Sequence, residues 1–410
     1  MTYSAKQDLS LYRWVILSIM WATIFIGVVA QFQMAALAYR IIPGLKLTLS
    51  QFSMILSAPM LSAVFLSLPA GALADRFGVK KTVAIGFVFS TIGIYFRYAA
   101  HDFLTLFVLM FLSGISCALL NANAAKLLGA WFPVEQMGTA MGIYLTGPGL
   151  GMTVALAATA LFPSIKRAYI VAGIINLTVG ILWVTFVNGK PAGAPEMSSI
   201  PVTKCLGTVG KSKNVWLVGL ALMLFMGSNM AFNGNISNAL NGVRGIDPKI
   251  AGLMASLVTL GTVSGSFVGP LLSDRIGRIK PFLAPIGIFG AIIMYLSWVT
   301  SGVASWILLA VLGFLMGTGI PLLMAFPMLL PEIGPKYAGT AGGLIATLQL
   351  IGAFAIPSFI IAPIAGTNFN TLFLLASVSY LLFGIVTVFL PEMGAKARAK
   401  AGASSIRLGI

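Results

Sequence analysis

Few side chains in this 410-residue sequence can do chemistry, and their types restrict what that chemistry is. The nine acids are Asp8, Asp75, Asp102, Glu135, Glu196, Asp247, Asp274, Glu332 and Glu392, and all of them fall outside the long apolar stretches. The one histidine, His101, lies at the end of such a stretch. No group of His, Asp and Glu is spaced for general acid–base work or for holding a metal ion. The sequence therefore points to no catalytic residue, no metal, no cofactor and no enzyme. Inside the apolar stretches there is no carboxylate, and neutral donors are present, among them Gln31, Gln33, Asn121, Asn123, Tyr144, Thr146, Asn229, Asn233, Asn235, Asn238 and Gln349. Asn229 and Asn233 are four residues apart, so they share one helix face. Two cations, Arg97 and Lys126, come close to the hydrocarbon. Both can snorkel to an interface, and for Arg97 that is the expectation.

These groups are carried by a chain whose solvent must be mostly lipid. The AVILMFWYC set makes up 59% of it and charged residues 8%, with a mean hydropathy of +1.00. A soluble domain carries about 25% charge. The composition excludes a disordered protein, a nucleic-acid module and a disulfide scaffold. Cys117 lies in an apolar stretch and Cys205 in a polar one, so no bridge between them is expected. A helical span needs about 20 apolar residues. Twelve such stretches occur, at roughly 13–38, 51–73, 82–100, 103–126, 137–161, 167–187, 214–239, 250–273, 281–299, 303–329, 337–361 and 369–390. With the N-terminus inside, 18 of the 25 Lys and Arg fall on the inner side. That asymmetry predicts both termini in the cytoplasm of a multi-pass inner-membrane protein. It also accounts for most of the +16 net charge without nucleic acid as a partner. The domain reading is a first bundle over 1–187, a linker over 188–213, a second bundle over 214–393 and a basic tail over 394–410.

The two halves repeat each other. Gly71-Ala-Leu-Ala-Asp75-Arg76-Phe-Gly78-Val-Lys80-Lys81 joins spans 2 and 3, and Pro270-Leu-Leu-Ser-Asp274-Arg275-Ile-Gly277-Arg278-Ile-Lys280 joins spans 8 and 9. The offset is 199 residues. Gly138-Thr-Ala-Met-Gly142 and Gly339-Thr-Ala-Gly-Gly343 repeat at 201. A duplicated six-span unit places a cavity between its halves near the bilayer midplane. The first loop resembles the signature loop of the major facilitator superfamily. Gly147-Pro148-Gly149-Leu-Gly151 is similar to a glycine-proline motif of that superfamily's span 5. Pro270 departs from the pattern, standing where the second copy would have Gly. The resemblance implies an all-α membrane protein of twelve transmembrane helices in two pseudo-symmetric bundles. It also implies gating by Asp75, Arg76, Asp274 and Arg275. Gly142, Gly147, Gly149 and Gly151 are read as packing surfaces, since small residues let membrane helices approach closely.

The segment Lys126-Leu-Leu-Gly-Ala-Trp131-Phe132-Pro133 resembles the span 4–5 junction of the superfamily's organic-anion carriers, where a cation matching Lys126 meets a substrate carboxylate. In that fold spans 1, 4, 7 and 10 line the cavity. The implied substrate-binding set is Lys126, Gln31, Asn121, Asn123, Tyr144, Asn229, Asn233 and Gln349. Ala30-Gln31 stands where those carriers often have an Asp-Arg pair, and Ser67 and Ser266 stand where nitrate porters place arginines. The leading expectation is a monomeric secondary transporter for a small organic anion, a monocarboxylate or sugar acid, by proton symport or anion exchange. An exporter of hydrophobic compounds, a nitrate-like anion porter and a non-transporting sensor are the alternatives.

Overall fold

A computed structural model describes residues 11–188, 207, 209–330 and 332–394. Most of the predicted linker and nearly all of the basic tail lie outside the described residues. Among the described residues there is no strand, and twelve helices are long and apolar enough to cross a bilayer. They are α1 (Tyr12–Ala36), α2 (Leu49–Phe77), α3 (Val79–Tyr95), α4 (Phe103–Ser113 and Ile115–Trp131), α5 (Val134–Ala158) and α6 (Ile165–Phe186). The later six are α7 (Lys213–Gly242), α8 (Pro248–Ile276), α9 (Lys280–Val299), α10 (Val303–Met324), α11 (Gly334–Ala355) and α12 (Phe369–Val388).

Helix starts follow from capping chemistry. Asp102 accepts the Thr105 N–H (2.8 Å), Ser164 that of Arg167 (3.2 Å) and Asp247 that of Lys249 (2.9 Å), satisfying donors that the first turn leaves orphaned. The Thr105 backbone N–H and hydroxyl hold the Asp102 carboxyl below its ordinary range. Pro248 follows its cap at the first helical position, where a missing N–H costs nothing. Gly277 ends α8 in the left-handed region at φ 73°. Span 4 runs past its predicted end at 126 to Trp131, so Lys126 sits inside a helix.

The chain divides into two compact units, one of residues 1–37 and 58–198, the other of 38–57 and 199–410. Within the second, the short helix Ala38–Gly44 packs on α7, and Ser50 Oγ donates to Ser358 O (2.8 Å). Ser358 lies in a π-helical turn, Ile356–Ile361, that follows α11.

The duplication read from the loops recurs in the packing. In the first unit α5 lies on α1, where a Cβ at Gly151 would stand 2.6 Å from Phe25 O. In the second, α11 lies on α7, where a Cβ at Gly352, 201 positions after Gly151, would stand 2.2 Å from Met223 O. One turn earlier the partners exchange sizes. Gly147 faces Trp21 at 3.4 Å, whereas in the later pair Leu348 reaches over Gly219. The closest approach joins α8 and α10, where glycines on both helices, among them Gly265 and Gly317, face carbonyl oxygens of the opposite backbone. Of the packing glycines named from the sequence, Gly142 departs from that reading: a Cβ there would meet nothing within 4 Å among the described residues.

Candidate functional site

Lys126 and Asp75 form the only ion pair among the described residues, Nζ to Oδ1. Lys126 projects from the last turns of α4 and Asp75 from those of α2. Their side chains are 40% and 51% exposed. The predicted substrate cation and the predicted gating acid are thus each other's partner. Among the described residues the second half has no such pair. Positions 199 to 201 after Lys126 are Ala325, Phe326 and Pro327, and Asp274 and Arg275 are exposed with no ion-pair partner among the described residues. Instead the loop after α8 is held by Glu392, whose carboxylate accepts the N–H groups of Ile279 (2.8 Å) and Lys280 (3.1 Å) at the start of α9. An anion at a helix N-terminus is favoured by the helix dipole. Nothing in the sequence reading singled out Glu392, because a cap contributed from 112 residues away leaves no local signal. Arg76 lies over the ring of Phe77, 5.2 Å from its centroid.

In the first unit the Tyr144 hydroxyl on α5 donates to Asn121 Oδ1 (2.6 Å) on α4. Asn123, two residues on, points differently. Its Nδ2 donates to Leu119 O (2.9 Å) and Ala70 O (3.2 Å), tying α4 to α2. Gln31 is buried on α1. Trp21 Nε1 donates to Thr146 Oγ1 (3.0 Å). In the second unit Asn229 Nδ2 approaches Met316 Sδ of α10 (3.5 Å) and Asn233 Nδ2 donates to Asn229 Oδ1 (3.2 Å). Asn233 Oδ1 is buried with no hydrogen-bond partner among the described residues. Gln349 is half-buried on α11. The structure thus brings Lys126 to Asp75, Asn121 to Tyr144 and Asn229 to Asn233.

Arg97 corrects the sequence reading. It does not snorkel; it is 2% exposed. Its Nη1 donates to Ala30 O (2.6 Å) and its Nε to Ile94 O (3.3 Å), and its guanidinium lies 4.5 Å from the centroid of the Tyr169 ring. Carbonyl dipoles and a ring face replace the missing counter-ion. One nitrogen, Nη2, is buried with no hydrogen-bond partner among the described residues, as is Gln33 Oε1 on the same stretch of α1. Arg97 therefore fastens α1, α3 and α6 together. Arg97→Ala should cost about 2–5 kcal/mol, because it empties a large packed volume. Arg97→Met should cost less, since an apolar chain of similar size often replaces a buried ion without loss. Thermal melts of the purified variants check the order.

Twelve apolar helices, a duplicated loop and neutral amides within the spans define a multi-pass membrane protein built from two related halves. The chain belongs to the Major Facilitator Superfamily, which it matches over residues 19–357. It is 24% identical over 361 residues to the "Probable sulfoacetate transporter SauU" of Cupriavidus necator, across 82% of this chain and 83% of that one. It is 25% identical over 385 residues to the "Probable nitrate/nitrite antiporter NarK1" of Thermus thermophilus, across 84% and 85%. The fold is that of the solved nucleoside transporter NupG, with a TM-score of 0.76 at 13% identity over 91% of this chain and 99% of that one. The chain is a transporter of this superfamily.

Proposed function

We propose that this transporter moves a small organic anion, a monocarboxylate or sugar acid, by alternating access of its two halves, with proton symport or anion exchange as the coupling. The observation that carries the proposal is the ion pair: the Lys126 ammonium already holds a carboxylate, that of Asp75. A substrate carboxylate has the same chemistry and can take that place. Binding substrate then releases Asp75, so one ammonium serves both the cargo and the gating acid. Asn121 with Tyr144, and Asn229 with Asn233, supply neutral donors and acceptors, and Gln31, Asn123 and Gln349 complete the proposed set. The anionic substrates in the names of the two relatives support the class. The Lys and Arg distribution supports the proposal that both termini are cytoplasmic, and the working unit is proposed to be a monomer.

The nitrate/nitrite relative favours a second reading, an inorganic anion, at the same cation. Proteoliposome uptake of labelled carboxylates and of nitrate distinguishes the two. Lys126→Gln should abolish uptake of the true substrate with the yield of folded protein unchanged. Undiminished uptake by that variant refutes the role of Lys126, and uptake of nitrate alone refutes the organic-anion reading.

A further inference from the structure

At the end of the second unit remote from the Asp274–Arg275 loop, the α7–α8 and α9–α10 connections enclose a pocket of about 610 Å³. Its one charged lining residue is Arg244. The guanidinium is fixed from two sides. Its Nη1 donates to Thr300 O, and its Cζ lies over the Trp298 ring, 4.8 Å from the centroid. The remaining guanidinium donors have no acceptor among the described residues. No carboxylate lines the pocket; Asp247 nearby caps α8 by accepting the Lys249 N–H. The wall beside Arg244 changes character along α8, where Ile250 and Met254, one turn apart, present apolar side chains, joined by Val299. Ser301 and Trp306 complete the rim.

The depth of this pocket matters as much as its chemistry. Arg244 lies two residues beyond the end of α7, Trp298 is the penultimate residue of α9 and Trp306 lies in the first turn of α10. Helix ends with tryptophans mark the headgroup level of a bilayer. A fixed cation at that level above an apolar wall is complementary to an amphiphile with an anionic head. A zwitterionic headgroup would bring an ammonium that finds no carboxylate here. We propose that this pocket is a binding site for an anionic phospholipid, with the phosphate on Arg244 and Ser301 and an acyl chain along Ile250, Met254 and Val299.

Purified full-length protein in nanodiscs of phosphatidylcholine, with and without phosphatidylglycerol, tests it. Phosphatidylglycerol should raise the melting temperature above that in phosphatidylcholine alone. Native mass spectrometry should find it retained in preference to phosphatidylcholine. Arg244→Gln should weaken that retention about fivefold, which is roughly what one cation is worth near a charged membrane surface. Ser301→Glu places a negative charge at the rim without touching the Thr300 and Trp298 contacts, so it tests the site even where Arg244→Gln folds poorly. It should lose the phosphatidylglycerol effect and melt like the parent in phosphatidylcholine. Equal retention of both lipids by the parent, or full retention by Ser301→Glu, overturns the proposal. An equal shift from inorganic phosphate in detergent also overturns it, since the site would then belong to a free anion.

Discussion

Asp75→Asn is expected to tighten the binding of a carboxylate substrate and to slow its transport, two effects of opposite sign from one substitution. The first follows from competition. With Asp75 ionised, the Lys126 ammonium is already engaged, and a substrate carboxylate must displace its partner. Asn has nearly the same shape and no charge, so the displacement cost disappears. Both side chains are close to half exposed, and exposed pairs are worth about 0.2–1 kcal/mol. The gain in affinity is therefore modest, about 1.4- to 5-fold. The second effect follows from the proposed gating role of Asp75. In that role the pair holds α2 to α4 in one state and breaks in another, so removing it shifts the balance between states whatever the ligand does. Lys126→Gln has a different signature: affinity and transport fall together. Titration calorimetry on purified protein and flux in proteoliposomes measure the two quantities separately. An Asp75→Asn variant that binds more weakly and transports at the parental rate would show that Lys126 serves the loop alone. High salt should narrow the difference in affinity between parent and Asp75→Asn, because exposed charges are screened.

The fold was legible because lipid imposes a simple rule. Backbone groups in hydrocarbon must be satisfied within the segment, so apolar runs of sufficient length become helices. The breaks at His101-Asp102, Lys166-Arg167 and Pro248 were legible for the same reason, since caps and first-turn prolines are local. The loop repeat was legible because a turn needs particular residues at fixed places. The chemistry of Lys126 was legible only in part. Its type and its approximate depth can be read from the chain, but its partner is 51 residues away and the choice between Asp75 and lipid is a tertiary one. Arg97 shows the limit more clearly. Near a span end, snorkelling is the cheaper outcome for an isolated helix. Here Ala30 O, Ile94 O and the Tyr169 ring converge on it from three helices and keep it inside. Ile94 O is one turn away, but nothing local in the sequence announces Ala30 O and the Tyr169 ring, which arrive from elsewhere. Glu392 belongs with it, a cap for α9 supplied from beyond α12.

Glycines provide the other large expected effect, and they separate sequence motif from packing. The Gly-Thr-Ala repeats draw the eye, yet among the described residues a Cβ at Gly138, Gly142, Gly339, Gly342 or Gly343 would meet nothing within 4 Å. In a helix with room for a methyl group, Gly→Ala stabilises by about 0.4–1 kcal/mol through the unfolded state. Gly342→Ala should therefore leave the melting temperature unchanged or raise it. Gly317→Ala should do the reverse. Its Cβ would stand 2.0 Å from Thr262 O, a backbone atom of α8 that cannot rotate away, so α8 and α10 must separate. Overpacking of this kind costs about 1–3 kcal/mol and at times more. The separation also loosens contacts along both helices, because membrane helices are held by close packing rather than by exclusion of water. The distances predict an order: Gly317 at 2.0 Å, Gly352 at 2.2 Å and Gly151 at 2.6 Å, each against backbone oxygen, then Gly147 at 3.4 Å from Trp21 O. Alanine at these four positions should lower the melting temperature in that sequence, with Gly147→Ala close to the parent. Because Gly151 and Gly352 are equivalent points of the two halves, a loss at both, larger at Gly352, would show that the repeat is energetic as well as topological. A Gly317→Ala protein that melts with the parent would mean that α8 and α10 are not held backbone to backbone, and the explanation of the glycines on that face would fail with it.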